Sequence, residues 1–402
     1  METLVPLAER QALLSGGAIA FFGDKINDVP WQRFSLPLCI VVCGPEQFAA
    51  PVPGFYDHKI DLPEISVAES KKLWEKFVKV FKDWEPKDRE IITGHYQVVI
   101  GDIVECSEKR VTTLSQAREI INRTAQHELG ELAQRIECAF DWPDIVIDET
   151  LKKRLAIFTT EARERKQFWE KDNVRKLFPY GRGLIGLCAG PPGTGKTMAA
   201  QIMAKNLNLE LFRINLSSII SKYVGETSQN LTRILRRAAH LNCVLFFDEA
   251  DALFTRRTDV KDAHDRYANI DTDTLLQEVE NYPGIILMAT NKKTLIDNAF
   301  IRRIRYYFEF AKPDREQRER IFLTVAAELL TGIDYKRLAP FFKTLAETLE
   351  LTGSQIKFSL LTALFVASQS TKEVNREHIV EGIEMELLKE GRLVSRNEKQ
   401  RL

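Results

Sequence analysis

The chain has 402 residues, 57 Lys plus Arg against 57 Asp plus Glu, 44% hydrophobic residues and 28% charged residues. That length predicts two or three domains. The zero net charge disfavours a protein that coats nucleic acid or one that ends in an acidic disordered arm. The apolar runs Leu36–Cys43 and Asn242–Phe247 are too short to span a bilayer, and Met1–Arg10 lacks the basic-then-apolar pattern of a secretory signal, so no membrane partner is expected. The six cysteines include no C-x-x-C pair, which excludes a zinc ribbon or a redox motif and fits a reducing, cytoplasmic setting. Cys39 and Cys43 read as small buried hydrophobes within a strand.

In chain order, residues 1–66 read as short strands broken by Pro45, Pro51, Pro53 and Gly54. Residues 67–138 read as helices, because Leu73, Trp74, Phe77, Val80 and Phe81 recur at helical spacing. Within them, His127-Glu128-Leu129-Gly130-Glu131 begins like a zinc-protease helix, but Glu131 stands where the second histidine is required. Residues 139–148, with Trp142 and Pro143, form a connecting loop, and 149–172 a charged amphipathic helix. From Leu184 to Phe310 short apolar strands alternate with amphipathic helices, the pattern of an α/β fold with a parallel sheet covered on both faces. Residues 313–390 are helical again, and Gly391–Leu402 is a charged, loose tail. An internal echo recurs at an offset of about 250 residues: Ile40–Gly44 matches Leu287–Asn291, Ile60–Glu64 matches Phe308–Asp314, and Gly101-Asp102-Ile103 matches Gly353–Ile356.

The strongest chemical signal is Gly190-Pro191-Pro192-Gly193-Thr194-Gly195-Lys196-Thr197, which fits G-x-x-x-x-G-K-[ST] between a strand at Gly186–Ala189 and a helix at Met198–Leu207. Its glycines let backbone N–H groups converge on phosphate, and the helix N-terminus adds to that field. Lys196 neutralises the β and γ phosphates, and the Thr197 hydroxyl ligates Mg²⁺. The strand Cys243–Phe247 ends in Asp248 and Glu249, which suit Mg²⁺ binding and water activation respectively. The strand Ile285–Thr290 ends in Asn291, expected between the loop and the acids, where it orients the water. Arg302, Arg303 and Arg305 are either a surface patch or arginine fingers for a neighbouring subunit's γ-phosphate. Gly353-Ser354 opens a helix where a lid would meet the nucleotide.

On these motifs, residues 140–390 resemble an AAA+ ATPase module of the narrower AAA clade. The resemblance implies an α-helical lid on a P-loop module, with ATP and Mg²⁺ between the subunits of a homo-hexamer. Lys196, Thr197, Asp248, Glu249 and Asn291 would act in cis, and Arg302 and Arg305 in trans. Pro192, Gly193, Thr194, Gly195 and Met198 would complete the phosphate site, while Asp144, Ile145, Gly353 and Ser354 flank the adenine. The family's R-P-G-R is Arg302-Arg303-Ile304-Arg305 here, and the second-sensor arginine of other clades is not evident near Gly353. Ser221–Thr227 resembles the first pore loop, with Tyr223 and Val224 gripping an extended polypeptide; the competing reading is a core tyrosine before helix-capping Glu226 and Thr227. Lys261–Asn269 resembles the signature of a bacterial AAA subgroup associated with contractile injection systems.

The expected layout is therefore a smaller α+β domain at 1–140, a large ATPase subdomain at 141–312, a lid at 313–390 and a tail at 391–402. The first domain, which has no phosphate loop and no paired acids, reads as a degenerate AAA-like half or as an adaptor. The expected function is an ATP hydrolase ring that remodels, unfolds or disassembles a protein partner by pore-loop threading, an injection-system component being one candidate. The alternative is a nucleotide-switched assembly scaffold with little turnover, and DNA remodelling is disfavoured by the charge balance.

Overall fold

The computed structural model describes residues 4–22, 34, 39–43, 65–96, 98–129, 133–169, 172–177, 183–214, 226–239, 241–253, 277–291, 304–370 and 373–401. The chain divides into two units, Met1–Glu64 and Ile65–Leu402. The first opens with a helix at Leu4–Ser15 where the sequence suggested only strands. The run Ala8-Glu9-Arg10-Gln11-Ala12-Leu13-Leu14 consists of strong helix formers, and Val5, Glu9 and Ala12 bury one face at helical spacing. Two short strands follow, β1 (Ile19–Phe22) and β2 (Ile40–Cys43), paired in parallel with Ile19 opposite Ile40. Cys39 is exposed, not a buried hydrophobe as expected, because it precedes β2 instead of lying inside it.

The second unit begins with a helical layer, including Val67–Phe77, Ile100–Glu108 and Leu114–Leu129. Ser66 and Glu69 form a capping box at its start. Trp74, Phe81 and Trp84 pack their rings 5.4–5.8 Å apart at its centre. Helix ends at Leu129, short of the expected 138, and β3 (Ala133–Ile136) follows. Four residues are too few to show a period, so the strand is dictated by its pairing, antiparallel to β5 (Glu210–Ile214).

The remaining strands, β4 (Leu184–Ala189), β6 (Cys243–Phe247), β7 (Ile285–Thr290) and β8 (Tyr306–Glu309), complete a sheet in the order β3-β5-β6-β7-β4-β8, parallel except for β3. The central strands are apolar throughout because both faces are covered. Successive β6 residues alternate between two cores. Cys243, Leu245 and Phe247 face Leu231, Ile234 and Leu235 of the helix Glu226–Ala238. Val244 and Phe246 face Leu155 and Phe158 of the helix Glu149–Trp169 and Met203 of the helix Lys196–Leu207.

A helical bundle follows, made of the helices Arg315–Leu329, Gly332–Thr348, Gly353–Ser370 and Arg376–Leu388 around Phe322, Phe342, Leu360 and Ile383. The tail is more ordered than its composition suggests. Val394 is buried in the core of the bundle, and the short helix Arg396–Arg401 is tied down by Glu398 to Arg392 and Lys399 to Glu384. No helix among the described residues is long and apolar enough to cross a membrane.

The helical layer is fastened to the sheet beside the end of the helix Lys196–Leu207. The Tyr96 hydroxyl and Arg118 both donate to the carbonyl of Asn208, which closes that helix in the left-handed conformation. Asn122 and Arg135 bind the carboxylate of Glu210. Tyr96→Phe removes one buried bond and is expected to lower stability by about 0.5–1.5 kcal/mol, read from urea denaturation followed by circular dichroism; an unchanged midpoint and slope would show that this bond carries no net stability.

Candidate functional site

After β4 the chain turns through Gly190–Gly195 into the helix Lys196–Leu207. Gly193 has φ 74°, a region open mainly to glycine. A Cβ there would lie 1.9 Å from Ser354 Oγ and 2.9 Å from Thr352 Oγ1. The missing side chain lets Ser354 sit directly on the turn, where its N–H donates to the Gly193 carbonyl at 3.2 Å. The first amides of the helix have no intrahelical acceptor, so its positive end faces the same space.

Lys196 is only 8% exposed. Its ammonium donates to the carbonyls of Gly190 and Pro191 and to Oδ1 of Asn291, each at 2.8 Å, and these bonds use all three of its protons. Burial pushes its pKa below the ordinary lysine value, and Asp248 and Asp251 oppose that shift. Asn291 reaches Lys196 because β7 lies between β4 and β6. Its position is thus between the turn after β4 and the acids after β6.

Asp248 is half-buried, with Oδ2 2.8 Å from Arg213 Nη2 and Oδ1 accepting the Glu249 N–H at 3.0 Å. Glu249 holds φ 51°, a costly conformation for a side-chain-bearing residue, and is exposed. Asp251 accepts the hydroxyl of Thr290.

A cavity of about 420 Å³ gathers these parts, a size suited to a small-molecule ligand. Its floor is the run Pro192 to Met198, which includes Gly193, Thr194, Gly195, Lys196 and Thr197; Asp248 and Asn291 stand at one end. Asp144 and Ile145 form part of the lining, as do Gly353 and Ser354. The rest was not singled out in the sequence as lining: Gln317, Ile321 and Val325, together with Pro313 and Lys357. Their four-residue spacing behind the Asp314 capping box was the available signal. Arg213 gave no signal, since its pairing with Asp248 depends on strand order.

Two candidate residues lie outside the cavity lining. Glu249 is beside Asp248 but not part of the lining. Arg305 precedes β8 and pairs with Glu161 at 2.5 Å. Arg302, Arg303, Tyr223, Val224 and the segment Lys261–Asn269 fall outside the described residues. The cavity fits a nucleoside triphosphate with a divalent cation. An apolar wall faces a turn that a Cβ would close, Lys196 holds acceptors that phosphate oxygens can replace, and Thr197 and Asp248 offer the hard oxygens Mg²⁺ requires. Cys188, on the strand that leads into the turn, is fully buried, and burial pushes its thiol up to about 12.

Residues 187–313 match the family described as ATPase family associated with various cellular activities (AAA). An uncharacterized AAA family ATPase of Sinorhizobium fredii is 37% identical over 233 residues, which cover 54% of this chain and 70% of that protein. Proteasome-activating nucleotidase 2 of Halobacterium salinarum is 31% identical over 216 residues, 51% of each chain. A cell division cycle protein 48 homolog of Archaeoglobus fulgidus is 34% identical over 143 residues, 34% of this chain and 19% of that protein. The chain thus spans about half, or less, of the latter two.

Gly193→Ala places a methyl group against Ser354, so nucleotide affinity, titrated with a fluorescent ADP analogue, is expected to fall at least tenfold. Ser354→Gly in the same chain relieves the collision but not the backbone strain, and is expected to restore affinity only in part. Unchanged affinity in Gly193→Ala would show that the turn does not hold the phosphates.

Proposed function

The chain belongs to the AAA family of ATPases, and on that footing we propose that it is a Mg²⁺-dependent ATP hydrolase that works as a ring, through pore-loop threading, to remodel, unfold or disassemble a protein partner. The observation that carries the reading is the single cavity holding Lys196, Thr197, Asp248 and Asn291.

Lys196 would exchange its bonds to Gly190 and Pro191 for phosphate oxygens. Thr197 and Asp248 would hold Mg²⁺, whose charge offsets that developing on the transferred phosphoryl group. Glu249 would accept a proton from the attacking water, which Asn291 steadies. Asp144, Ile145, Gly353 and Ser354 would enclose the base, and the bond from Ser354 to the Gly193 carbonyl would couple the lid to the phosphate turn. Arg302 and Arg305 would serve the nucleotide of a neighbouring subunit in a homo-hexamer, and Tyr223 and Val224 would grip the polypeptide. The name of one relative, a proteasome-activating nucleotidase, favours a protein substrate over nucleic acid. The segment Lys261–Asn269 favours a bacterial injection-system component as the partner. Residues 1–140 would be a worn AAA-like half or an adaptor, with no ATPase chemistry of its own, followed by the large subdomain to 312, the lid to 390 and the tail.

A nucleotide-switched scaffold is the second reading. It is favoured by the resting geometry, in which Arg213 occupies Asp248 and Glu249 lies off the cavity.

Glu249→Gln is expected to bind ATP normally while steady-state hydrolysis falls by about 10²–10⁴-fold; rapid turnover by this variant would sink the assignment, and a wild-type rate no faster than the variant's would favour the scaffold. Tyr223→Ala is expected to keep hydrolysis and lose substrate unfolding, so intact unfolding would remove the threading step.

A further inference from the structure

We propose that Glu161 is the resting counter-ion of Arg305, holding that guanidinium within its own chain until the phosphate of a neighbouring subunit displaces the carboxylate. The inference rests on the ring reading above and adds to it a residue not previously given a role.

Strand register rules out a role for Arg305 at its own phosphate loop. β8 runs parallel to β4, with Tyr306 opposite Gly186 and Glu309 opposite Ala189. Arg305 therefore lies level with Ile185, about five residues before Gly190, or roughly 16 Å along the strand direction. It sits toward the sheet edge opposite its own nucleotide cavity, so any phosphate it meets belongs to another chain.

Glu161, on the helix Glu149–Trp169, spends its two oxygens separately. Oε1 accepts Arg305 Nη1 at 2.5 Å, and Oε2 accepts the Tyr306 hydroxyl at 2.5 Å. The Glu161 side chain is 21% exposed and that of Arg305 59%. The guanidinium carbon also lies 5.8 Å from the Tyr306 ring centre. The arrangement is asymmetric. When Arg305 leaves, Glu161 keeps Tyr306, and Arg165, fixed by the carbonyls of Pro283 and Gly284 at 2.7–2.9 Å, is near enough to feel the charge of Glu161. The carboxylate is thus not stranded, while Arg305, on the solvent side, is the partner free to move. An exposed ion pair of this kind is weak. A triphosphate offers more charge and a better fit to the planar fork of arginine, so the exchange runs toward the phosphate once a neighbour arrives.

The experiment follows ATPγS-dependent assembly by sedimentation velocity, and ATP turnover per chain, across protein concentrations. Glu161→Gln retains an acceptor for Tyr306 and weakens the hold on Arg305. It is expected to lower the concentration for half-maximal assembly and turnover by about threefold to fivefold, the equivalent of about 0.7–1 kcal/mol. The plateau rate should stay within about twofold, and nucleotide-free sedimentation should not change. The shift should vanish when Arg305→Ala is also present. If Glu161→Gln melts early, Glu161→Asp, which retracts the carboxylate by one methylene and keeps its charge, must give the same shift. No shift, a shift to higher concentration, or one that persists beside Arg305→Ala overturns the proposal. A wild-type rate per chain that does not depend on concentration, or an Arg305→Ala plateau equal to wild type, overturns the ring and finger reading itself. With those two intact, an unshifted Glu161→Gln overturns the counter-ion alone.

Discussion

A buried ammonium must have its protons met, and the way Lys196 meets them organises the centre of this protein. Its bonds to Gly190 and Pro191 hold the turn after β4, and its bond to Asn291 holds the end of β7 against that turn. A buried charge without such partners would cost several kcal/mol. The strand order that places β7 beside β4 is therefore a condition for partnering the buried lysine. The two backbone acceptors make the site responsive, because they are neutral and an anionic phosphate oxygen would be the stronger partner for the ammonium.

The resting state is paired elsewhere too. Asp248 is held by Arg213, Arg305 by Glu161, and Thr290 by Asp251. Asp248 and Arg305, charges that the proposed chemistry would use, thus each have a partner within the chain. Binding then becomes an exchange of partners and not a desolvation of bare charges, which keeps the steps small in free energy.

Much of this was legible in the sequence, for identifiable reasons. The phosphate turn could be read because its glycines, Lys196 and Thr197 are contiguous, and β6 and β7 because both faces of a parallel strand must be apolar. What could not be read involves partners far apart in the chain. Arg213 meets Asp248 across two strands, and Glu161 meets Arg305 across 144 positions. The helix Leu4–Ser15 was missed because the turn residues that follow outweighed its local propensity, and β3 because four residues carry too little pattern. Cys39 was misassigned by a single position at the start of β2.

The edge position of β3 has a consequence for how the protein can be divided. β3 covers β5 along the full register from Ala133–Ile214 to Ile136–Leu211. A fragment trimmed to begin at residue 141 would bare the backbone donors and acceptors of β5, and would strip Glu210 of Arg135 and Asn122. An uncovered strand carrying Leu211, Phe212 and Ile214 is a template for pairing with other molecules. The residues just ahead of the recognisable nucleotide motifs thus act as a hem on the sheet, and a nucleotide-binding core cut free of them invites aggregation whatever its affinity for ATP.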